Sequence, residues 1–118
     1  MASSSSCGWV EGWLRRHGIR DLLDVVVARD DVTRVKPDPE LFLLAARRLD
    51  VAPEGCLVFE DSANGMRAAL AAGMGCVAVP NALTRSLARP EVDLVMGSLD
   101  EHPLSGILEV VEGRGVGA

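Results

Sequence analysis

Tyrosine is absent from these 118 residues, and two phenylalanines and two tryptophans bring the aromatic share to only 3%. Any core must therefore be packed from Leu, Val and Ala. Histidine is scarce too: His17 and His102, set against Cys7, Cys56 and Cys76, form no C-x-x-C or H-x-x-x-H spacing, which excludes the common zinc modules. An odd number of widely spaced cysteines also argues against a disulfide framework. Cys56 and Cys76 sit in apolar runs, where a buried reduced thiol is the ordinary case, and a reducing cytoplasm is the expected location. No basic block interrupts the chain, and 12 basic residues against 17 acidic ones leave a net charge of −5. Nucleic acid and anionic membrane surfaces are thus not expected partners. No apolar run approaches the roughly 20 residues of a membrane span, and no secretory core follows the start. The serine run Ser3-Ser4-Ser5-Ser6 is too short for a transit peptide, since Glu11 arrives early and a helical pattern begins near Trp9.

What is present is ordinary for a globular chain: 48% hydrophobic and 25% charged residues, enough for one domain with one modest core. Trp9, Val10, Trp13 and Leu14 recur at helical spacing, closed by Gly18. Val25-Val26-Val27-Ala28 is a short continuous apolar run suited to a buried parallel strand. A proline-broken loop follows, and then Asp38 caps a helix with Pro39 first, Leu41, Leu44, Ala45 and Leu49 on one side, and an end near Asp50. Cys56-Leu57-Val58-Phe59 and Cys76-Val77-Ala78-Val79 are two further buried strands. They flank a helix opened by Ser62-Ala63-Asn64-Gly65 and closed by Gly73. A weaker strand lies at 94–96 and a short helix at 107–111. The domain is expected over 1–112, with a loose tail at 113–118. Strands apolar on both faces, alternating with helices, predict an α/β fold: a doubly wound parallel sheet with helices on each side.

In such sheets ligands bind beyond the carboxyl ends of the strands. Glu60-Asp61 follows one strand directly, Lys36 lies in the loop after another, and the serines precede the first helix. Paired carboxylates at a strand end suit Mg²⁺, which takes one or two carboxylates plus phosphate oxygens and water. A lysine neutralises phosphate oxygens, and hydroxyls with backbone N–H groups at a helix start cradle them. Each feature alone has a plainer explanation: a cap, a solvated loop charge, a polar terminus or a turn. Order and spacing decide between these readings.

Val35-Lys36-Pro37-Asp38-Pro39-Glu40-Leu41-Phe42, Leu57-Val58-Phe59-Glu60-Asp61-Ser62-Ala63-Asn64-Gly65, Ala72-Gly73-Met74 and Val77-Ala78-Val79-Pro80-Asn81 resemble, in this order, the haloacid-dehalogenase-like hydrolases. The closest subgroup is the β-phosphoglucomutase-like and sugar-phosphatase-like members, and the resemblance runs over about residues 2–99. It implies that Ser3 binds phosphate with the Ser4 backbone N–H beside it, and that Lys36 is catalytic and phosphate-binding. It further implies that Asp61 and Glu60 serve Mg²⁺, with Ser62 and Asn64 supporting them. The substrate implied is a small phosphorylated metabolite, a sugar phosphate foremost. A signalling receiver domain also combines Asp, Ser/Thr and Lys-Pro around Mg²⁺, but there the acidic residues precede the lysine. Here Lys36 comes first.

One part of the family pattern has no match. The D-x-D motif, whose first aspartate attacks phosphorus and whose second handles the leaving-group proton, occurs nowhere in the sequence, and neither does the substrate-selecting cap. The sheet is therefore expected to be partial, lacking its first strands, with an exposed edge on the 56–59 strand open to self-association. The function expected is that of the C-terminal portion of a Mg²⁺-dependent phosphohydrolase or phosphomutase, inactive alone. A non-catalytic Mg²⁺-phosphate-binding or protein-interaction module is the alternative.

Overall fold

The computed structural model describes residues 1–116. Helix α1 spans Cys7–Arg16, α2 Glu40–Leu49, α3 Ala63–Ala71 and α4 Leu104–Val116. Strands β1 (Leu57–Glu60), β2 (Gly75–Ala78) and β3 (Leu94–Val95) form one sheet, and short 3₁₀ turns punctuate the loops. The strand order is β1-β2-β3. Both pairings are parallel, with Glu60 opposite Ala78 and Val77 opposite Leu94. The α/β architecture expected from the alternating pattern is therefore present.

Alternation along the strands sorts the core into two layers. Val58, Cys76 and Ala78 point to one face, where they meet Phe42 and Ala46 of α2 and Met66, Ala69 and Ala72 from α3 and its end. On the opposite face Val77 packs with Met96 and Ile107 of α4. A separate cluster joins Val10 and Leu14 of α1 to Ala28. Few large side chains are available, so much of the interior is Ala against Val. Ala28, Ala68, Ala69 and Ala78 are fully buried.

Helix ends follow their caps. The Ser6 hydroxyl accepts from Trp9 N–H at the start of α1, and the Ser62 hydroxyl does the same for Gly65 N–H at the start of α3. Gly73 closes α3 at φ +77°, a left-handed conformation that costs a side-chain-bearing residue roughly 1–2 kcal/mol. Asp38 was expected to cap α2, and its carboxylate does accept from Glu40 N–H at 3.0 Å. The helix itself begins one residue later than expected.

Three expectations are corrected. Residues 25–28 form no sheet strand. They make a single parallel bridge, Ala2 to Val27, because only the short segment at residues 1–3 lies alongside to pair with them. The buried face of α2 is Leu41, Phe42 and Ala46, while Leu49 is 44% exposed; Ala45 and Leu49 line a groove instead. The helix expected over Trp9 to Leu14 is present as α1, with Val10 and Leu14 buried and Trp9 and Trp13 on its outer side, ring against ring at 5.6 Å. The last helix runs on through Gly113 and Gly115 to Val116, so glycines at a helical cost of about 1 kcal/mol each do not end it. The remainder of the expected tail, 117–118, lies outside the described residues. No helix among the described residues is long and apolar enough to cross a membrane.

Candidate functional site

A groove of about 570 Å³ touches Leu57, Val58, Phe59 and Glu60 together. Successive strand residues face opposite sides of a sheet, so a cavity that meets all four runs along the edge of β1 rather than over a face. Its other wall carries Met1, Ala2 and Ser3, and Lys36 and Asp61 complete the polar end beside Phe42. The side chains that bear the expected chemistry stand at the carboxyl end of β1, as Glu60 is the strand's last residue.

Glu60 is the one charged residue in the buried interior of the described chain. Its Oε1 accepts from Lys36 Nζ at 2.5 Å, and its Oε2 accepts from Asp61 N, Ser62 N and Ser62 Oγ, each at 3.1 Å. Burial alone would raise this carboxyl, but the hydrogen bond and charge of Lys36, aided by Ser62, outweigh it and hold Glu60 below its ordinary value. Lys36 Nζ also donates to Ala2 O at 3.0 Å and lies 4.8 Å from the Phe42 ring centroid. Both partners are nearly shut off from solvent, with 12% and 8% of their side chains exposed. Room for the Glu60 carboxylate exists because residue 65 has no side chain: a Cβ there would lie 1.9 Å from Glu60 Cδ.

Asp61 turns the other way, into the open, and its Oδ2 accepts from Asn81 Nδ2 at 3.0 Å. Asp61 thus presents a carboxylate suited to Mg²⁺ as a single protein ligand, beside phosphate oxygens and water. Glu60, the other expected ligand, spends its oxygens on Lys36 and on the start of α3. Among the described residues no group of three or more His, Cys, Asp or Glu side chains is arranged to hold a metal ion. The donor set therefore fits part of a coordination shell.

Of the remaining candidates, Ser3 lines the groove with Lys36, and its hydroxyl accepts from Ser5 N–H at 3.1 Å. Ser4 lies outside the groove lining, yet its hydroxyl is buried with no hydrogen-bond partner among the described residues. Ser62 reaches the site through Glu60. Asn64 does not reach it; its side chain meets Arg67 at 3.3 Å. Asn81 belonged to a quoted motif but carried no expected role, and its contact with Asp61 shows only once β1 and β2 are paired in register. Cys76, close to Glu60, is inert: burial, with the charges of Glu60 and Asp93, pushes its thiol up to about 12.

A lysine, carboxylates and a serine are gathered at the carboxyl end of a parallel strand, where ligands of open α/β sheets bind. The model of the haloacid dehalogenase-like hydrolases matches residues 1–79, and the chain belongs to that family. It is 48% identical over 109 residues to YhcW of Bacillus subtilis (strain 168), covering 92% of this chain and 50% of YhcW. The crystal structure of CbbY from Rhodobacter sphaeroides in complex with phosphate superposes with a TM-score of 0.83 at 38% identity, over 89% of this chain and 48% of that one. β-Phosphoglucomutase from Clostridium difficile gives 0.78 at 30% identity, over 89% and 45%. The chain spans about half the length of the curated relatives it matches.

Two outcomes are expected from this geometry. Gly65→Ala should destabilise the chain by about 1–3 kcal/mol in urea denaturation, since the methyl must displace the Glu60 carboxylate. Shortening that residue in the same background, Glu60→Asp, should recover part of the loss. The pH dependence follows from the depressed Glu60 value: its stabilisation is complete above the ordinary 4.5 of the unfolded chain and is lost as pH falls through the lower folded value. The melting temperature of the wild type should therefore drop across that acid range, and the drop should be smaller in Glu60→Gln.

Proposed function

We propose that this chain is the lysine- and carboxylate-bearing half of a Mg²⁺-dependent phosphohydrolase or phosphomutase, and that by itself it turns nothing over. The observation that carries this is the convergence of Ser3, Lys36, Glu60 and Asp61 on one groove along the β1 edge. Lys36 would neutralise the oxygens of a transferring phosphoryl group, held in place by Glu60 and the Ala2 carbonyl. The Ser3 hydroxyl and the Ser4 backbone N–H would bind the same oxygens, with the partnerless Ser4 hydroxyl beside them. Asp61 would hold Mg²⁺, which when bound neutralises phosphate charge. Small phosphorylated metabolites, sugar phosphates first, are the proposed substrates. Support comes from CbbY, of which a crystal structure holds xylulose-(1,5)bisphosphate, and from the likeness to β-phosphoglucomutase. The buried, unreactive Cys76 suits the cytoplasm as its setting.

The absence of D-x-D supports inactivity of the chain alone, because without a nucleophile the covalent route is gone rather than weakened. The same absence favours the second reading, a non-catalytic Mg²⁺-phosphate-binding module. Among the described residues β1 has a single sheet neighbour, β2, so its other side is open to an added strand, either from a D-x-D-bearing segment or from a second copy.

Purified 118-residue protein should release no phosphate from sugar phosphates with or without Mg²⁺. Phosphate should nevertheless raise its melting temperature. The same protein extended by a D-x-D-bearing segment encoded upstream should hydrolyse them, and Asp61→Ala should abolish that activity. Mg²⁺-dependent turnover by the unextended chain, lost in Asp61→Ala, would refute the inactivity. In analytical ultracentrifugation the unextended chain should show concentration-dependent self-association, and a monomer with a sharp reversible melt at every concentration would count against an open β1 edge.

A further inference from the structure

We propose that Asn81 is a positioning residue for Asp61, fixed by the turn after β2 so that its amide N–H₂ faces the Asp61 carboxylate. The inference rests on the proposed role of Asp61 as a cation ligand. Glu60 and Ala78 stand opposite each other in the β1–β2 ladder. Asp61 leaves the end of β1 and Asn81 the end of its neighbour, 20 residues apart in sequence, and their side chains meet at 3.0 Å.

What makes Asn81 more than a chance neighbour is the fate of its other amide atom. Oδ1 accepts from Leu83 N at 2.9 Å, Thr84 N at 3.0 Å and Thr84 Oγ1 at 3.2 Å. The Thr84 hydroxyl in turn accepts from Asn81 N at 3.0 Å. Backbone bonds from Thr84 and Arg85 to Asn81 O close the same turn. Rotating the amide by half a turn would aim Nδ2 at two backbone donors and Oδ1 at a carboxylate, keeping only the contact with the Thr84 hydroxyl, which can also accept. The turn thus decides which end of the amide Asp61 meets. A neutral donor bonded to Oδ2 leaves the charge of the carboxylate in place and its other oxygen available to a cation in the groove that Asp61 lines. Partners that orient a metal-ligating carboxylate in this way typically matter about 10–100-fold in metal affinity.

Serine separates the two duties of Asn81. Its hydroxyl can accept from the turn N–H groups, as Ser does in such turns, but it is too short to reach Asp61. The probe is Mn²⁺ as a paramagnetic stand-in for Mg²⁺, titrated into the ¹⁵N-labelled 118-residue chain and read by broadening of amide signals around residue 61. The expected result is that Asn81→Ser keeps a melting temperature close to wild type and weakens Mn²⁺ binding about tenfold or more. The Asn81 side-chain N–H₂ signals of the wild type should also shift in Asp61→Ala with no metal present. Unchanged Mn²⁺ affinity in Asn81→Ser, or N–H₂ signals indifferent to Asp61→Ala, overturns the positioning role while leaving the cation site intact. If wild type shows no Mn²⁺ broadening at residue 61, the cation-ligand reading of Asp61 fails, and the positioning role fails with it even where the amide contact stands.

Discussion

The Lys36–Glu60 ion pair joins three parts of the chain that share little else: the loop before α2, the end of β1, and the short segment at residues 1–3, reached through Ala2 O. Burying two charges costs several kcal/mol per ion unless geometry and hydrogen bonds compensate. Here they do. Glu60 accepts from four donors, and Lys36 adds a carbonyl and the face of Phe42. The local sequence is constrained accordingly. Ser62 must serve Glu60 and the first turn of α3 with one hydroxyl, and residue 65 must lack a Cβ.

Around that pair the molecule has two packing regions. The sheet is covered by α2 and α3 on one face and by α4 on the other, whereas α1 rests on its own cluster with Ala28. The groove along β1 lies where these regions approach each other, and Ala2 makes apolar contact from one to the other. A site at that seam is built from elements that do not share one core. Its geometry therefore depends on the polar links across it, chiefly those of Lys36, more than on apolar burial.

Much of this was legible in the sequence. The three sheet strands are legible as apolar runs, the signature of parallel strands, although only β2 is buried along most of its length. The order of Lys36, Glu60, Asp61 and Ser3 along the chain singles them out, and the structure brings all four to one groove. The misses share a cause. Residues 25–28 read as a strand because strand composition depends on burial, and they are buried, but a strand also needs a ladder partner, which periodicity does not report. The face of α2 was misjudged because Leu44, Ala45 and Leu49 are as apolar as Phe42 and Ala46, and only the position of the groove decides which of them is covered. Asn81 was passed over because its turn is local but its partner is 20 residues away.

By itself, then, the sequence determined the alternation of strand and helix, the caps that open α1 and α3, the glycine that closes α3, and the residue types at the candidate site. All of these depend on neighbours within a turn or two of the chain. Tertiary structure alone decided how the two carboxylates divide: Glu60 turned inward to Lys36, Asp61 outward to Asn81. That division cannot be read from two adjacent acidic letters. It arises because Glu60 ends β1 facing Lys36 of the loop before α2, whereas Asp61 lies beyond the strand, where the pairing of β1 with β2 brings Asn81 to it.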